Sequence, residues 1–458
     1  MKAFLKNKKI ILISGLIFIL GIAAVLSVRY ITPMTEKNKS LASTESDLAG
    51  MAMNSIRPSA LAEVSSIKAT ASGEGMKMDA ASSGGETGSA AVSSSEASKS
   101  FIPPSQGGNP TEKKVEIKAG QLTAGEWDDL DNWTFWSDLM NKKEYADFQN
   151  QWGFSLFNHY SVMVKNGDAP IVDAKVILKD NNNKIICQAR TNNKGQADLF
   201  TGSFQQEESK NLNITVETSK ESKTLSDVKL DSNNALVIKM ESNQDTSNIL
   251  DLMFVMDTTG SMSDELEYLK SELKYVIQKT RESNGSNLNI RLSCNYYRDN
   301  GDEYVTRPFE FTENIDDVIN QISSQRANGG GDYEESVEVA LDNAISKHSW
   351  SENARARLLF LVLDAPPHHT KAIVEKLQKT VDEAAAKGIR IIPVASSGVD
   401  KETEFILRFC DIATGGTYVF LTNDSGIGDS HIEPTIGKYD VQMLNELLIK
   451  TINDYISK

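Results

Sequence analysis

The chain has 458 residues and few of the residue types on which many catalytic sites depend. Its three cysteines, Cys187, Cys294 and Cys410, are too few and too odd in number for a disulfide framework. The adjacent His368 and His369 have no third histidine or H-E-x-x-H pattern to complete a catalytic metal centre. Neither a phosphate-binding glycine loop with its lysine nor a serine nucleophile elbow occurs. The sequence therefore predicts a protein that is not an enzyme.

Basic residues are also in deficit, since 48 Lys and Arg stand against 63 Asp and Glu and give a formal net charge of -15. An acidic chain of this kind repels a polyanion, so we expect no nucleic-acid partner. Aromatic residues are missing between Tyr30 and Phe101, where Ser, Ala and Gly dominate. Such a segment cannot bury enough apolar surface to fold, which predicts a disordered linker over residues 35–112. A flexible tether of roughly 75 residues reaches about 50 Å.

One long hydrophobic run is present at residues 10–28, and it contains no charged side chain. Lysines precede it, at positions 2, 6, 8 and 9, so the segment 1–34 predicts a transmembrane anchor with its N-terminus inside. No convincing cleavage site follows the run. We expect a single-pass membrane protein with its C-terminal bulk outside the cell. A cleaved signal and a secreted protein are the alternative.

The ordered part begins near residue 113. Residues 113–158 contain four of the five tryptophans and predict a packed aromatic-rich subdomain, with a short helix at 137–151. Residues 159–243 alternate apolar and polar side chains between turns, which is typical of a β-sandwich. Their turn segments at 170–176 and 191–197 resemble the carboxypeptidase regulatory-like, or transthyretin-like, sandwich. The resemblance implies a spacer or a binding module.

Residues 244–458 alternate strands with helices, which predicts an α/β fold with a mostly parallel sheet. The expected strands are 250–256, 289–297, 304–311, 358–363, 389–395 and 417–421. The Asn300-Gly301 pair is a strong hairpin signal and makes the third of these an antiparallel edge strand. We interpret the neighbouring Asp299, Asp302 and Glu303 as a solvated hairpin tip, with a calcium loop as the alternative.

A chemically informative stretch ends the first of these strands. The apolar run from Leu252 leads to Asp257, and the hydroxyls of Thr259 and Ser261 follow at alternate positions. Ligands bind at the carboxyl ends of strands in open α/β sheets, and hard cations prefer oxygen ligands. The stretch resembles the von Willebrand factor type A domain, whose metal-ion-dependent adhesion site has the pattern Asp-x-Ser-x-Ser. The resemblance implies a Rossmann-like six-stranded sheet and a bound Mg²⁺, with Mn²⁺ or Ca²⁺ as alternatives.

Two later segments complete the resemblance. The loop from Gly329 to Glu335 is similar to the integrin β-subunit version of the site, which implies Glu335 or Asp332 as a further metal ligand; the choice between them stays open. Asp364 ends the fourth predicted strand, where the family has an aspartate that accepts hydrogen bonds from metal-bound water. Asp264 and Glu265 stand where integrin β subunits hold a second metal, but we favour complementarity to a helix dipole for them.

The resemblance implies a bacterial-type cell-surface protein that binds a protein ligand, whose carboxylate completes the shell of the metal. Two alternatives come from other classes of protein. One is a structural or assembly protein of the cell envelope that uses the same fold without metal. The other is a metal-dependent hydrolase, for which His368 or His369 would have to matter.

Overall fold

The computed structural model describes residues 117–155, 158–205, 211–231, 234–241 and 245–457. These residues belong to one compact unit, Gln106–Lys458. The predicted membrane span at residues 10–28 and the predicted linker at 35–112 lie outside the described residues. Among the helices that the structure does describe, none has the length and apolar character needed to cross a bilayer.

In the described chain, one strand and two helices are followed by an all-β segment and then by a segment in which strands alternate with helices. The strands are β1 (Thr123–Trp127), β2 (Asn158–Asn166), β3 (Ala169–Pro170), β4 (Lys175–Asp180), β5 (Ile185–Arg190), β6 (Gln196–Thr201), β7 (Leu212–Glu217), β8 (Ser222–Val228), β9 (Leu236–Lys239), β10 (Ile249–Asp257), β11 (Asn289–Tyr297), β12 (Thr306–Arg307), β13 (Ala356–Leu363), β14 (Ile389–Ala395), β15 (Tyr418–Leu421) and β16 (Gln442–Met443). The helices are α1 (Trp133–Met140), α2 (Lys143–Trp152), α3 (Leu266–Asn284), α4 (Ile315–Ser324), α5 (Val337–Ser346), α6 (Lys371–Lys387), α7 (Lys401–Thr414) and α8 (Leu444–Ile456).

A mostly parallel sheet forms the centre of the fold, with the strand order β12-β11-β10-β13-β14-β15-β1-β16. Strands β11, β10, β13, β14 and β15 pair in parallel, and β12 is the antiparallel edge strand that the sequence predicted. Only two residue pairs join β12 to β11, so the predicted strand at 304–311 is too long. The predicted count of six strands is also wrong, because β1 and β16 extend the sheet to eight.

Helices cover both faces of this sheet because neighbouring strand residues point in opposite directions. On β10, Met253 and Val255 pack with α5, α6 and α7, whereas Leu252 and Phe254 pack with α3, α4 and α8. Burial on both faces explains why this strand is a continuous apolar run. Because β10 pairs in parallel with both β11 and β13, the carboxyl ends of these three strands lie side by side at one edge of the sheet.

Strand β1 enters the sheet from a position more than 120 residues before β10. It pairs antiparallel with β15, from Ala124 opposite Leu421 to Trp127 opposite Tyr418. A side chain at Gly125 would overlap the rings of Phe420 and Tyr439, so the close approach requires glycine. This strand was missed in the sequence because its residues, Thr-Ala-Gly-Glu-Trp, show neither apolar alternation nor β-branched enrichment.

The aromatic-rich segment packs against α7 of the α/β domain. Trp136 stacks on Phe405 with ring centroids 6.1 Å apart, and Phe154 stacks on Phe409 at 4.0 Å. Two helices, α1 and α2, stand where the sequence predicted one. Beside them, the fully buried Arg408 donates two hydrogen bonds to Asp129, at 2.8 and 2.7 Å. The aromatic side chains therefore share a core with the α/β domain.

The middle segment consists of two four-stranded sheets, β3-β2-β6 with β9, and β5-β4-β7-β8. Their inward side chains, such as Val162 and Val176, belong to one hydrophobic cluster. Asp173 at the start of this segment binds Arg357 of β13 through paired hydrogen bonds of 2.8 and 2.9 Å. The carboxypeptidase regulatory-like resemblance of this segment stays a prediction.

We expect Asp129→Ala to destabilise the chain by about 3 kcal/mol, because breaking this buried ion pair removes one of the two carboxylates that compensate the charge of Arg408. Glu404 still binds this guanidinium at 3.0 Å, which limits the loss. The measurement is the free energy of unfolding in urea.

The matched control is Asp147→Ala, which breaks the exposed Lys143–Asp147 pair. Exposed pairs of this kind contribute little to stability. Equal urea midpoints for the two variants would show that the aromatic segment is not anchored through Asp129.

Candidate metal centre

The first loop of the site brings together the three residues of the Asp-x-Thr-x-Ser pattern. Asp257 ends β10 and is fully buried. Its Oδ1 atom accepts hydrogen bonds from the backbone N–H and the hydroxyl of Thr259, at 2.8 and 2.7 Å. The hydroxyl oxygens of Thr259 and Ser261 lie 3.1 Å apart. One carboxylate and two hydroxyls thus face one small volume, as the sequence predicted.

A glycine loop closes over this group. The N–H of Gly260 donates to the carbonyl of Gly329 at 3.1 Å, which ties the two loops together. Gly330 has a φ of +74°, and an added Cβ there would lie 2.9 Å from Oε1 of Glu335 and 3.5 Å from Cβ of Thr259. Glycine is needed at Gly330 for both its conformation and its space. The loop thereby places the Glu335 carboxylate beside Thr259.

Asp364 comes from the neighbouring strand end, and Glu335 comes from the end of the glycine loop. Asp364 follows β13 and is 4% exposed, and Glu335 is 2% exposed. The backbone N–H of Glu335 donates to the carbonyl of Pro366 at 2.9 Å, so the acidic loop is fixed to the segment that follows Asp364. The carboxylates of Asp257, Glu335 and Asp364 converge from three separate loops.

Each of these three carboxylates has a buried oxygen without a hydrogen-bond partner among the described residues: Asp257 Oδ2, Glu335 Oε2 and Asp364 Oδ1. Such buried acceptors are costly unless a donor or a cation satisfies them. The donor set consists of carboxylate and hydroxyl oxygens, which suits Mg²⁺, Mn²⁺ or Ca²⁺. The residues present therefore fit a hard divalent cation.

The pKa values of the three carboxyl groups also indicate a site for a cation. Burial, followed by the charges of Asp257, Asp299 and Asp364, raises the pKa of Glu335 to about 9. Burial likewise raises the pKa of Asp257 and of Asp364, and the charge of Asp257 adds to the effect on Asp364. Like charges crowded in a poorly solvated site disfavour ionisation of one another. A bound cation would favour the ionised carboxylates and so lower these three pKa values.

Tyr297 is a member of the site that sequence reasoning missed. It ends β11 directly opposite Asp257 and is fully buried. Burial and the charges of Asp257, Asp364 and Glu335 raise the pKa of its hydroxyl well above the usual range. The signal available in the sequence was its position at a strand end, parallel to the position of Asp257.

Asp332 differs from this group in its exposure, although it is only three residues from Glu335. It is exposed and lies with Asp299 and His368, and one ligand atom from each of the three falls within a 4.8 Å cluster. Glu335 is thus buried within reach of the charges of Asp257 and Asp364, whereas Asp332 is exposed beside Asp299 and His368. Metal ligation by any of these residues stays a prediction.

Asp264 and Glu265 bind the chain segment that follows β15. Asp264 Oδ2 accepts a hydrogen bond from the N–H of Asp429 at 2.6 Å, and Glu265 Oε1 lies 2.7 Å from Nε2 of His431. Glu265 precedes α3 directly, and the helix-dipole interpretation of the two residues stays a prediction. Both carboxylates therefore fix a loop next to the Asp-x-Thr-x-Ser segment.

The two adjacent histidines diverge. His368 Nε2 lies 2.9 Å from Oδ1 of Asp299, whereas His369 Nε2 lies 3.0 Å from the carbonyl of Gln151 and its ring packs on Trp152. Asp299 is 8% exposed, so the interpretation of this residue as part of a solvated hairpin tip is wrong. The parallel register of β10 and β11 carries Asp299 towards the metal centre.

The comparison with protein families identifies the C-terminal domain. The family model of the von Willebrand factor type A domain matches residues 251–429. This segment is a von Willebrand factor type A domain. A domain of this family indicates a function in protein interaction or adhesion, and such domains often bind a divalent metal.

Two relatives show sequence similarity to the chain. One is an ariadne-like RING finger protein, R811, of Acanthamoeba polyphaga mimivirus, 27% identical over 207 residues, or 41% of this chain. The other is the alpha-protein kinase vwkA of Dictyostelium discoideum, 32% identical over 127 residues, or 27% of this chain. Each match spans 20% of the relative's own length. A crystal structure of the conserved hypothetical protein BatB from Bacteroides thetaiotaomicron aligns over 46% of this chain and all of its own, with 13% identity and a TM-score of 0.32.

The raised pKa of Glu335 has a consequence for stability. Without divalent cations, the folded state holds the Glu335 proton up to a pKa of about 9, whereas the unfolded chain loses it near 4.5. The folded state therefore binds more protons between these values, and stability falls as the pH rises through that window. We expect Glu335→Gln to stabilise the metal-free chain at pH 8, with a gain that shrinks towards pH 4.5.

Urea unfolding in a chelating buffer across this pH range measures the effect. Glu334→Gln, a neighbouring change outside the buried group, serves as the control and should leave the pH profile unchanged. A Glu335→Gln profile that runs parallel to that of the parent would contradict the crowding of the three carboxylates.

Proposed function

We propose that this chain is a binding protein that recognises a protein partner through a divalent-metal-dependent adhesion site. The observation that carries the proposal is the set of three buried carboxylate oxygens that lack hydrogen-bond partners among the described residues. Asp257, Asp364 and Glu335, with the hydroxyls of Thr259 and Ser261, would hold Mg²⁺, or alternatively Mn²⁺ or Ca²⁺. When bound, the ion supplies a Lewis-acidic position that a carboxylate of the partner completes.

The protein's own residues set up this position. Oδ1 of Asp257 accepts two hydrogen bonds from Thr259, whereas Oδ2 has no hydrogen-bond partner among the described residues. Asp257, Thr259, Glu335 and Asp364 are buried, whereas Ser261 is exposed. The exposed Ser261 is therefore the residue of this set that a partner would meet first.

Exposed residues of the glycine-rich loop lie next to Glu335 in the chain. Gly329, Gly331 and Tyr333 are exposed, and the Tyr333 hydroxyl donates to the carbonyl of Gly398 at 3.0 Å. A ring fixed at one end and exposed to 42% offers a rigid apolar contact at low entropic cost. Such an exposed ring supports contact with a polypeptide segment around the partner carboxylate.

A place at the cell surface is part of the proposal and is supported by residues 10–28 as a membrane anchor, with secretion as the alternative. The activities named for the RING finger protein and the kinase belong to those proteins. Absence of enzymatic activity in this chain is proposed because its sequence has no catalytic pattern.

Selection from a random-peptide library against the Mg²⁺-loaded full chain tests the proposed function. We expect enriched peptides to share an Asp or Glu, because a carboxylate is the strongest ligand that a peptide offers to a hard cation. Conversion of that residue to Asn or Gln should abolish binding, as should EDTA. Calorimetric titration of the best peptide measures the affinity.

Asp257→Ala should lose Mg²⁺ and peptide binding together, and His369→Gln is the matched control that retains both. Binding that survives EDTA would favour a structural or assembly protein that uses the fold without metal. Peptide hydrolysis that depends on His368 would favour the hydrolase.

A further inference from the structure

A cavity of about 450 Å³ lies at the edge of the sheet opposite the candidate metal centre, near the amino end of β13. Its wall includes the last residue of β5, the segment after α5 and the last residue of α6. It therefore lies where the β-rich middle segment meets the α/β domain. Ligand cavities often form at such junctions and have volumes of roughly 300–1,000 Å³. The size suits a small organic molecule.

The charged side chains of this wall are mostly positive, although the whole chain has a formal net charge of -15. Arg190, Arg357 and Lys387 line the cavity, and Glu352 is the one carboxylate among the described residues that line it. Glu352 is exposed, so water and salt screen its charge. The cavity thus has a cationic lining.

The counter-ions of these cations leave one guanidinium edge unused. Arg357 donates to both carboxylate oxygens of Asp173, at 2.8 and 2.9 Å, and Lys387 lies 2.7 Å from Oε1 of Glu383. Arg190 reaches Asp173 only through Nη1, at 3.3 Å from Oδ1. Its buried Nε has no hydrogen-bond partner among the described residues. The edge formed by Nε–H and Nη2–H of Arg190 is therefore available to an acceptor.

His348 is a second lining residue with an unused nitrogen, and it is only 7% exposed. Its Nδ1 lies 3.1 Å from the carbonyl oxygen of Asn343, and because a carbonyl only accepts, Nδ1 carries a proton. Nε2 is buried and has no partner among the described residues. In the imidazolium form Nε2–H is a donor. An anion in the cavity would satisfy both His348 and Arg190, whose unpaired polar groups are otherwise costly to bury.

The carboxyl end of α5 borders the cavity, and the negative end of its dipole would oppose an anion if its carbonyl groups were free. Carbonyl groups in the last turn of this helix accept hydrogen bonds from three lining side chains, those of His348, Trp350 and Lys387. The side chains of the wall therefore cover this helix end.

Packing fixes the rest of the wall. A Cβ added at Gly388 would lie 2.9 Å from Cβ and Cδ of Arg190, so glycine at this position lets the stem of the arginine pack closely. Trp350 is held by its own hydrogen bond at 2.8 Å and by edge-on contact with Phe311, with ring centroids 4.9 Å apart. The cavity thus combines a positioned guanidinium with a fixed aromatic ring.

We propose that this cavity binds a small organic molecule that carries a phosphate or a sulfate group. An arginine edge binds an oxyanion through two parallel hydrogen bonds, and His348 adds a donor from another chain segment. A phosphate or sulfate group offers three terminal oxygens to such donors, whereas a carboxylate offers two. Trp350 supplies a face for the organic part of the ligand. The proposal does not depend on the adhesion site.

Calorimetric titration of the full chain with phenyl phosphate, phenyl sulfate and phenol tests the proposal. EDTA in the buffer keeps divalent cations away from the candidate metal centre. We expect saturable binding of an anion at one site and none of phenol, because the donors recognise the oxyanion. Tighter binding of phenyl phosphate would identify the group as phosphate, and tighter binding of phenyl sulfate would identify it as sulfate.

Arg190→Gln and His348→Asn should each weaken binding by about tenfold or more, because each removes donors to the anion. His348→Asn keeps an amide that can donate to the carbonyl of Asn343 and removes only the Nε2 donor. The matched control is Lys347→Gln, which removes a positive charge from an exposed residue outside the cavity wall and should leave the affinity unchanged.

A cavity that holds only water would bind neither anion, and that result would overturn the proposal. Phenol binding as tight as that of the anions would also overturn it. The same conclusion would follow if both Arg190→Gln and His348→Asn, with unchanged circular dichroism, bound the anion as tightly as the parent.

Discussion

The structure depends on one electrostatic constraint, which is the concentration of carboxylates at the carboxyl ends of β10, β11 and β13. Asp257, Glu335 and Asp364 are nearly inaccessible to water, and burial raises the pKa of each. A chain can maintain such a group only if other contacts supply the stability that these charges remove. The two hydrophobic clusters on the faces of the sheet supply it here.

The glycine-rich loop positions both the buried carboxylate of Glu335 and the surface that a partner would contact. Gly330 permits the close contact with Glu335, and Gly260 binds the carbonyl of Gly329, so the loop and the Asp-x-Thr-x-Ser segment hold one another. Asp264 and Glu265 fix the same segment on its other side through Asp429 and His431. The face that a partner would meet is therefore built from short loops, each held by backbone hydrogen bonds or buried carboxylates.

The sequence predicted where the parallel strands and their helices occur along the chain, because buried strands leave local apolar patterns. It also predicted the loop of Asp257, because an aspartate that ends such a strand stands where ligands bind. Strand β1 was not predictable in this way, since its pairing with β15 depends on a contact between residues nearly 300 positions apart. The sequence could not decide between Glu335 and Asp332 as the further metal ligand, because that choice also depends on the folded backbone. Only the backbone of the glycine-rich loop decides which of two nearby acidic side chains turns inward.

The central claim is that the buried, unpartnered oxygens of Asp257, Glu335 and Asp364 belong to a metal site. Anomalous diffraction at the manganese edge from crystals of the Mn²⁺-loaded chain tests it most directly. The account predicts a peak among Asp257, Thr259, Ser261, Glu335 and Asp364 that is missing in Asp257→Ala crystals. A fully loaded crystal without anomalous density between these side chains would contradict it.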